Sequence, residues 1–200
     1  MDHSLLHTLN ALFVRHDGLE DPWVAYVNAA ELLFAAMLAL AFVLAGGHRL
    51  RATRRAAAAA GLSAGVALLI AQVVSRLVDR PRPFVSDPGG LHVFGHHATD
   101  PGFPSDHATA AFAIGVALLL RNRAWGAVVL VLATVLAVGR VAMGIHFPSD
   151  VVGGALLGTV VALGLHRART RTLINRLSDD AGALLARASA WVLSPLRSTG

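Results

Sequence analysis

The chain has no cysteine and no lysine among its 200 residues. The first absence rules out disulfides and thiolate metal sites. The second leaves arginine as the one permanently cationic side chain, 17 in all, for a formal net charge of +5. Charge is scarce altogether: 14% of residues are charged and 55% are hydrophobic, where a soluble domain carries about 25% charged residues. That shortage points to a lipid bilayer as solvent. A basic start followed by an apolar core and a small-residue cleavage site is missing, so no removable signal peptide is expected. No repeat of about 20–50 residues stands out. The arginines punctuate apolar runs and do not line one polar face, which argues against a nucleic-acid partner.

What is present is a series of apolar runs. Residues 4–14 read as an interfacial helix and residues 17–22 as a polar break, with Pro22 in the first turn of the next helix. Five spans follow, over residues 23–45, 56–74, 105–120, 124–141 and 151–165. Trp23 and Tyr26 are placed as interfacial anchors. The last three spans are shorter than the roughly 20 helical residues a hydrocarbon core needs, and their Gly and Ala content permits close packing. The fold expected is an all-α integral membrane protein, a compact bundle of about five transmembrane helices plus an N-terminal interfacial helix. Residues 1–22 form the interfacial helix and turn, 23–166 the membrane domain, and 167–200 a basic tail with a surface helix over 172–193.

Arginine sets the expected topology. Arg49, Arg51, Arg54 and Arg55 lie between spans one and two, Arg121 and Arg123 between three and four, and Arg167, Arg169, Arg171 and Arg176 after span five. All fall on one side, which the positive-inside rule makes cytoplasmic. The loop 76–104 and the turn 141–150 then face outward. Arg76, Arg80 and Arg82 break the rule, which suggests that they have a task there.

Three segments at the edges of the apolar runs carry the chemistry: Arg76-Leu-Val-Asp-Arg80-Pro-Arg82-Pro83, Pro104-Ser105-Asp106-His107, and Arg140 followed by His146 and Asp150. A phosphoryl group in transfer needs positioning and charge stabilisation, and the planar fork of arginine grips phosphate with two donors. Arg82 and Arg140 can converge on one anion, Ser105 adds a hydroxyl, and the start of span three offers backbone N–H groups. Asp150, four residues after His146, can reach back to it and leave the other ring nitrogen free as a nucleophile. His107 suits a general acid for the leaving oxygen and then a base for water. One by one these residues have plain explanations, as snorkelling anchors or a helix cap. Their combination on one face points to cleavage of a phosphate ester or anhydride at a membrane surface.

These segments resemble the motifs of the type 2 phosphatidic acid phosphatase superfamily, over about residues 56–165. The matches are Arg82-Pro83, Pro104-Ser105-Asp106-His107 and Arg140…His146…Asp150. The resemblance implies a helical membrane enzyme that needs no metal or other cofactor and works through a phosphohistidine. His146 would be the nucleophile, Asp150 its partner and His107 the acid, with Arg82, Ser105 and Arg140 binding phosphate. The chain departs from the family pattern at three places. The family Lys is Ser75, which leaves Arg76 and Arg80 as alternative replacements. The Gly before the histidine is Asp106, beside the anion site, and the Ser before the third-motif arginine is Gly139. The run from Arg80 to Phe84 and from His96 to Phe112 is similar to bacterial undecaprenyl-diphosphate phosphatases. That likeness implies a polyprenyl diphosphate lipid as substrate, undecaprenyl phosphate and phosphate as products, and a site on the outer face of the bacterial plasma membrane. A phosphatase of phosphatidic acid, phosphatidylglycerol phosphate or another lipid monophosphate is the alternative enzyme. A non-catalytic lipid-binding or transport protein is the alternative of another class.

Glu31 lies about eight residues into span one, roughly 12 Å along the helix. A carboxylate there needs a partner, either an active-site arginine, a head group or another span. His92, His96 and His97 have no acidic residue fixed beside them and read as lining a head-group entrance, not as a metal site; His97 is the one taken as a substrate contact. Gly89 and Gly90 give that loop freedom to move.

Overall fold

A computed structural model describes residues 2–15, 17–45, 50–94 and 100–197, with 17, 19, 20 and 189–197 described by backbone alone. Eight helices follow one another: α1 (Asp2–Val14), α2 (Asp17–Leu44), α3 (Arg51–Val78), α4 (Pro83–Ser86), α5 (Asp106–Leu119), α6 (Arg123–Ala142), α7 (Pro148–Leu165) and α8 (Ala168–Arg197). Four of the helical stretches are long and apolar enough to cross a membrane: Asp21–Leu44, Arg51–Ser86, Arg123–Ala142 and Pro148–Leu165. The fifth expected span, α5, is a shorter apolar helix. At 1.5 Å per residue its 14 residues cover only about 21 Å. It lies at the centre of the bundle, packed against α3, α6 and α7.

Small residues decide how tightly α5 is held. Along α3, Ala56, Ala60, Ala64, Ala67, Ala71 and Ser75 are buried at helical spacing. On α7 a Cβ at Gly154 would stand 2.6 Å from the Ser105 carbonyl oxygen, and one at Gly158 2.3 Å from that of Thr109. The two backbones therefore touch, as small-residue membrane interfaces allow.

The polar break expected over residues 17–22 is absent: α2 already begins at Asp17, and Pro22 sits inside it. Lacking an N–H, Pro22 cannot donate to the carbonyl four residues back, and α2 continues without that bond. Trp23 and Tyr26 are also not free interfacial anchors. The Trp23 ring meets Phe13 edge-on at 5.1 Å and lies against Gly139, where a Cβ would come within 2.1 Å of the indole nitrogen. The hydroxyl of Tyr26 donates to the Leu132 carbonyl at 2.8 Å. Both rings thus bind α2 to α6, and Gly139 is small because Trp23 occupies the space of a side chain.

Helix α1 buries Leu6, Asn10 and Phe13 on one face. Asn10 donates to the carbonyls of His92 (2.7 Å) and Ala142 (2.8 Å) and accepts from the N–H of His92 (3.0 Å). One buried amide thereby joins α1, the loop before α5 and the end of α6. At the other end of the bundle α8 packs on α3, with Arg55 donating to Asp179 and Arg121 to Asn175. The ends of α3, α6 and α1 and the starts of α2, α5 and α7 gather at the opposite pole.

Candidate active site

The turn between α6 and α7 builds the centre. Arg140 ends α6, and its carbonyl accepts from the backbone N–H groups of Ile145 and His146. Gly144, at φ +74°, makes the reversal that a side chain would resist. His146 is 2% exposed. Its Nδ1 lies 2.9 Å from the carbonyl oxygen of Gly102. A carbonyl only accepts, so Nδ1 carries the proton and Nε2 keeps its lone pair. That Nε2 faces Arg82 Nη1 at 3.1 Å and Arg140 Nη2 at 3.2 Å. Burial, reinforced by the cations of Arg140 and Arg82, holds His146 well below the ordinary histidine pKa. The ring is a neutral base between two guanidinium forks.

Asp150 sits differently from the expected simple partner of His146. It is fully buried, and its Oδ2 accepts from the Phe147 N–H at 2.8 Å. Its Oδ1 pairs with Arg80 Nη1 at 2.8 Å. Oδ2 stands 3.6 Å from His146 Nδ1, too far for a hydrogen bond. The third residue of a helix can cap its own first turn, and this local bond, together with Arg80, takes the carboxylate. It remains close enough to act on the imidazole through charge.

Arg80 and Arg76 do not join Arg82 and Arg140 at His146 Nε2. Arg80 lies behind Asp150, where it also pairs with Asp2 at 2.9 Å, bonds Ser149 and stacks over the Phe147 ring at 4.2 Å. Asp2 accepts in turn from the backbone and hydroxyl of Ser149. Arg76 is exposed and turned from the cavity, as the helical step of about 100° from Ser75 requires. Ser75 itself is buried and lines the cavity.

That cavity measures about 460 Å³ and runs from His146, Arg82 and Arg140 to His107, Asp106 and Glu31. His107 Nε2 meets Glu31 Oε1 at 3.3 Å, so Glu31 turns to a histidine and not to an arginine. Asp106 accepts from Gln72 at 2.8 Å and lines the same cavity. Ser105 does not line the cavity. It is fully buried as the N-cap of α5, where its hydroxyl faces the Ala108 N–H at 3.5 Å. Capping satisfies a backbone donor that would otherwise be lost at a buried helix start. His97, with His96, lies outside the described residues.

Several neighbours of these side chains carry no mark in the sequence. Asp100 pairs with Arg82 Nη2 at 3.0 Å, the Gly102 carbonyl fixes the His146 ring, and Asp2 and Ser149 close the network behind Asp150. The one available hint was that Asp100 and Gly102 stand within five residues of Ser105. A backbone carbonyl leaves no mark in a sequence.

A family model described as the PAP2 superfamily matches residues 56–173. The chain is 36% identical over 167 residues to YbjG of Escherichia coli (strain K12), covering 80% of this chain and 82% of that protein. It is 28% identical over 161 residues to undecaprenyl-diphosphatase BcrC of Bacillus subtilis (strain 168), covering 80% of each. Over 140 residues it is 38% identical to decaprenylphosphoryl-5-phosphoribose phosphatase of Mycobacterium tuberculosis (strain ATCC 25618 / H37Rv), covering 66% of this chain and 76% of that one. No solved structure gives a significant match.

Proposed function

The chain belongs to the PAP2 superfamily, and on that premise we propose that it is a membrane-embedded phosphatase that cleaves undecaprenyl diphosphate to undecaprenyl phosphate and orthophosphate. The observation that carries this reading is the lone pair of His146 Nε2, held between Arg82 Nη1 at 3.1 Å and Arg140 Nη2 at 3.2 Å. The Bacillus relative bears the name of this activity. A site dedicated to binding alone has no use for an unprotonated nitrogen aimed at the anion position.

In the first step Nε2 attacks the terminal phosphorus. The N–P bond forms and the bridging P–O bond breaks, its electron pair leaving on the lipid monophosphate, which takes a proton from His107. Arg82 and Arg140 hold the equatorial oxygens, where the charge of the transferring group resides. The phosphorylated imidazole carries a positive charge; the Gly102 carbonyl accepts its Nδ1–H and the nearby Asp150 carboxylate balances it. Water then gives a proton to His107 and attacks phosphorus, the P–N bond breaks, and Nε2 regains its electron pair. The charge stabilisation rests on two arginines, so turnover is expected without a metal. The arginines of α3's first turns, of the α5–α6 turn and after α7 cluster at the far pole. The positive-inside bias therefore supports a site on the extracytoplasmic face of the bacterial plasma membrane.

The test is phosphate release from undecaprenyl diphosphate by purified protein in EDTA, beside His146→Ala. Release that survives EDTA and is lost in the variant is the expected result. Normal turnover by the variant overturns the mechanism, and loss in EDTA overturns the metal-free step. The 38% identity to a phosphatase of a polyprenyl-linked phosphoribose favours, as a second reading, a terminal phosphate monoester on a prenyl lipid. Relative rates on the diphosphate and on such a monoester separate the two.

A further inference from the structure

Arg82 is 6% exposed and held on three sides. Its Nε donates to the Asp100 carbonyl at 2.9 Å, its Nη2 to Asp100 Oδ1 at 3.0 Å, and its Nη1 faces His146. Arg140, the other cation of the centre, has no carboxylate ion pair among the described residues. Among the described residues one fork is thus supplied with an internal anion and the other is not. The two partners of the ion pair also differ in freedom. The Arg82 side chain is 7% exposed, while that of Asp100 is 52% exposed and lies at the cavity wall. The carboxylate can swing into open space while the Asp100 carbonyl keeps Arg82 in place.

A phosphate oxygen that takes Nη2 must therefore displace a carboxylate from it. Resting on the phosphatase reading above, we propose that Asp100 is a specificity-determining residue whose carboxylate competes with phosphate for Arg82 and so expels the orthophosphate product. The exchange of one anion for another on Arg82 returns little energy to any incoming phosphate. A lipid substrate has a second phosphate and a prenyl chain to offset this. Orthophosphate has neither, and it meets Asp106 and Glu31 on the same cavity wall. The competition therefore weighs most heavily on the small product. It hastens release, a step that limits turnover in many enzymes. Asp100 makes no bond to the reacting atoms and moves no proton.

A carboxylate that merely positioned Arg82 would act in the opposite direction, since its loss would loosen the fork and weaken phosphate binding. The sign of the effect is thus the test. Inhibition by orthophosphate and by vanadate is measured during undecaprenyl diphosphate hydrolysis for wild type, Asp100→Asn, Asp100→Ser and Asp100→Glu, each checked for a monodisperse, folded state in detergent. The expected result is an inhibition constant for orthophosphate about tenfold lower in the Asn and Ser variants, with kcat reduced and KM not raised, and wild-type behaviour in the Glu variant. The two neutral variants protect against a folding failure of either. An inhibition constant that is unchanged or higher, in wild-type-active preparations, overturns the role of Asp100 and leaves the phosphatase reading standing. A wild-type protein that releases phosphate from neither a diphosphate nor a monophosphate lipid overturns that reading, and the inference with it.

Discussion

The imidazole of His146 donates to the Gly102 carbonyl at 2.9 Å, while the carboxylate of Asp150 stands 3.6 Å from the same nitrogen. The backbone sets the tautomer, and the carboxylate contributes charge. Removing Asp150's charge should then cost less than removing the nucleophile. Asp150→Asn keeps an oxygen for the Phe147 N–H but loses the ion pair to Arg80. Its kcat is expected to fall about 10²-fold, the low end of what losing one preorganised electrostatic contact costs a transition state, with phosphoenzyme still trapped by acid quench. His146→Ala should show neither turnover nor trapped phosphate. Equal loss in both variants would return Asp150 to direct proton exchange with the ring.

His146 also predicts a pH dependence. Burial and the neighbouring cations of Arg140 and Arg82 place its pKa well below the usual 6.5, so the folded protein holds the ring neutral where the unfolded chain would protonate it. The unfolded state binds more protons in that window, and stability rises with pH there. Stability is therefore lost as pH falls below about 6.5 and is fully present above it. The acid limb of kcat/KM contributed by this residue should likewise lie below the ordinary histidine range, because the nucleophile stays unprotonated. Thermal unfolding in detergent from pH 7.5 to 5 checks this: His146→Gln should show a shallower acid-side fall in Tm than wild type. A parallel fall in both would mean that the ring is not held neutral.

Arg80 ties three elements together. It reaches Asp150 at 2.8 Å and Asp2 at 2.9 Å, and Asp2 holds the backbone of Ser149. Removing Arg80 leaves Asp150 fully buried with a single donor, the costly way to break a buried pair, about 3–5 kcal/mol in a fully enclosed case. Arg80 is 28% exposed, so the cost here should be the lower part of that range or less. Removing Asp2 leaves Arg80 paired. The expected order of Tm is wild type, then Asp2→Asn, then Arg80→Ala, with the same order in kcat and little change in KM. An Arg80→Ala variant of normal kcat but raised KM would instead assign Arg80 to the phosphate.

Much of this is legible in the sequence. The long apolar runs of α2, α3, α6 and α7 announced themselves through composition, and three motif edges that looked scattered in sequence do share one pole of the bundle. The misreadings have physical causes. Residues 17–22 are polar, yet the first turn of a helix tolerates acids, so polarity alone did not mark a break. Trp23 looks the same to a sequence reader whether it anchors in an interface or fills the notch at Gly139. Ser105 stands in a motif with two readings, phosphate ligand or helix cap, and its burial at the start of α5 matches the cap. Arg80 and Arg82 are two residues apart, yet Arg80 pairs with Asp150 and Asp2 while Arg82 reaches His146 and Asp100. Spacing could not tell which of them stands beside His146.

Ser75 offers a last, constructive test. It stands at the position of the lysine in the motif that the segment Arg76–Pro83 resembles, and it is buried at the wall of a cavity of about 460 Å³. Three carboxylates, Glu31, Asp100 and Asp106, share that cavity with Arg82 and Arg140, so its fixed side chains hold more formal negative than positive charge. The site therefore has both the room and the charge to accept another cation. In Ser75→Lys the four-carbon stem should reach along the cavity wall and place its ammonium among those carboxylates and the bound phosphate. A third cation benefits a ground-state phosphate as much as the transition state, which lowers KM without a matching rise in kcat. The expected result is a KM for lipid phosphate lowered about three- to tenfold, with kcat unchanged or reduced as orthophosphate lingers. If the lysine raises KM in a folded protein, the carboxylates rather than the phosphate have captured it, and the position serves in this chain to keep the cavity open.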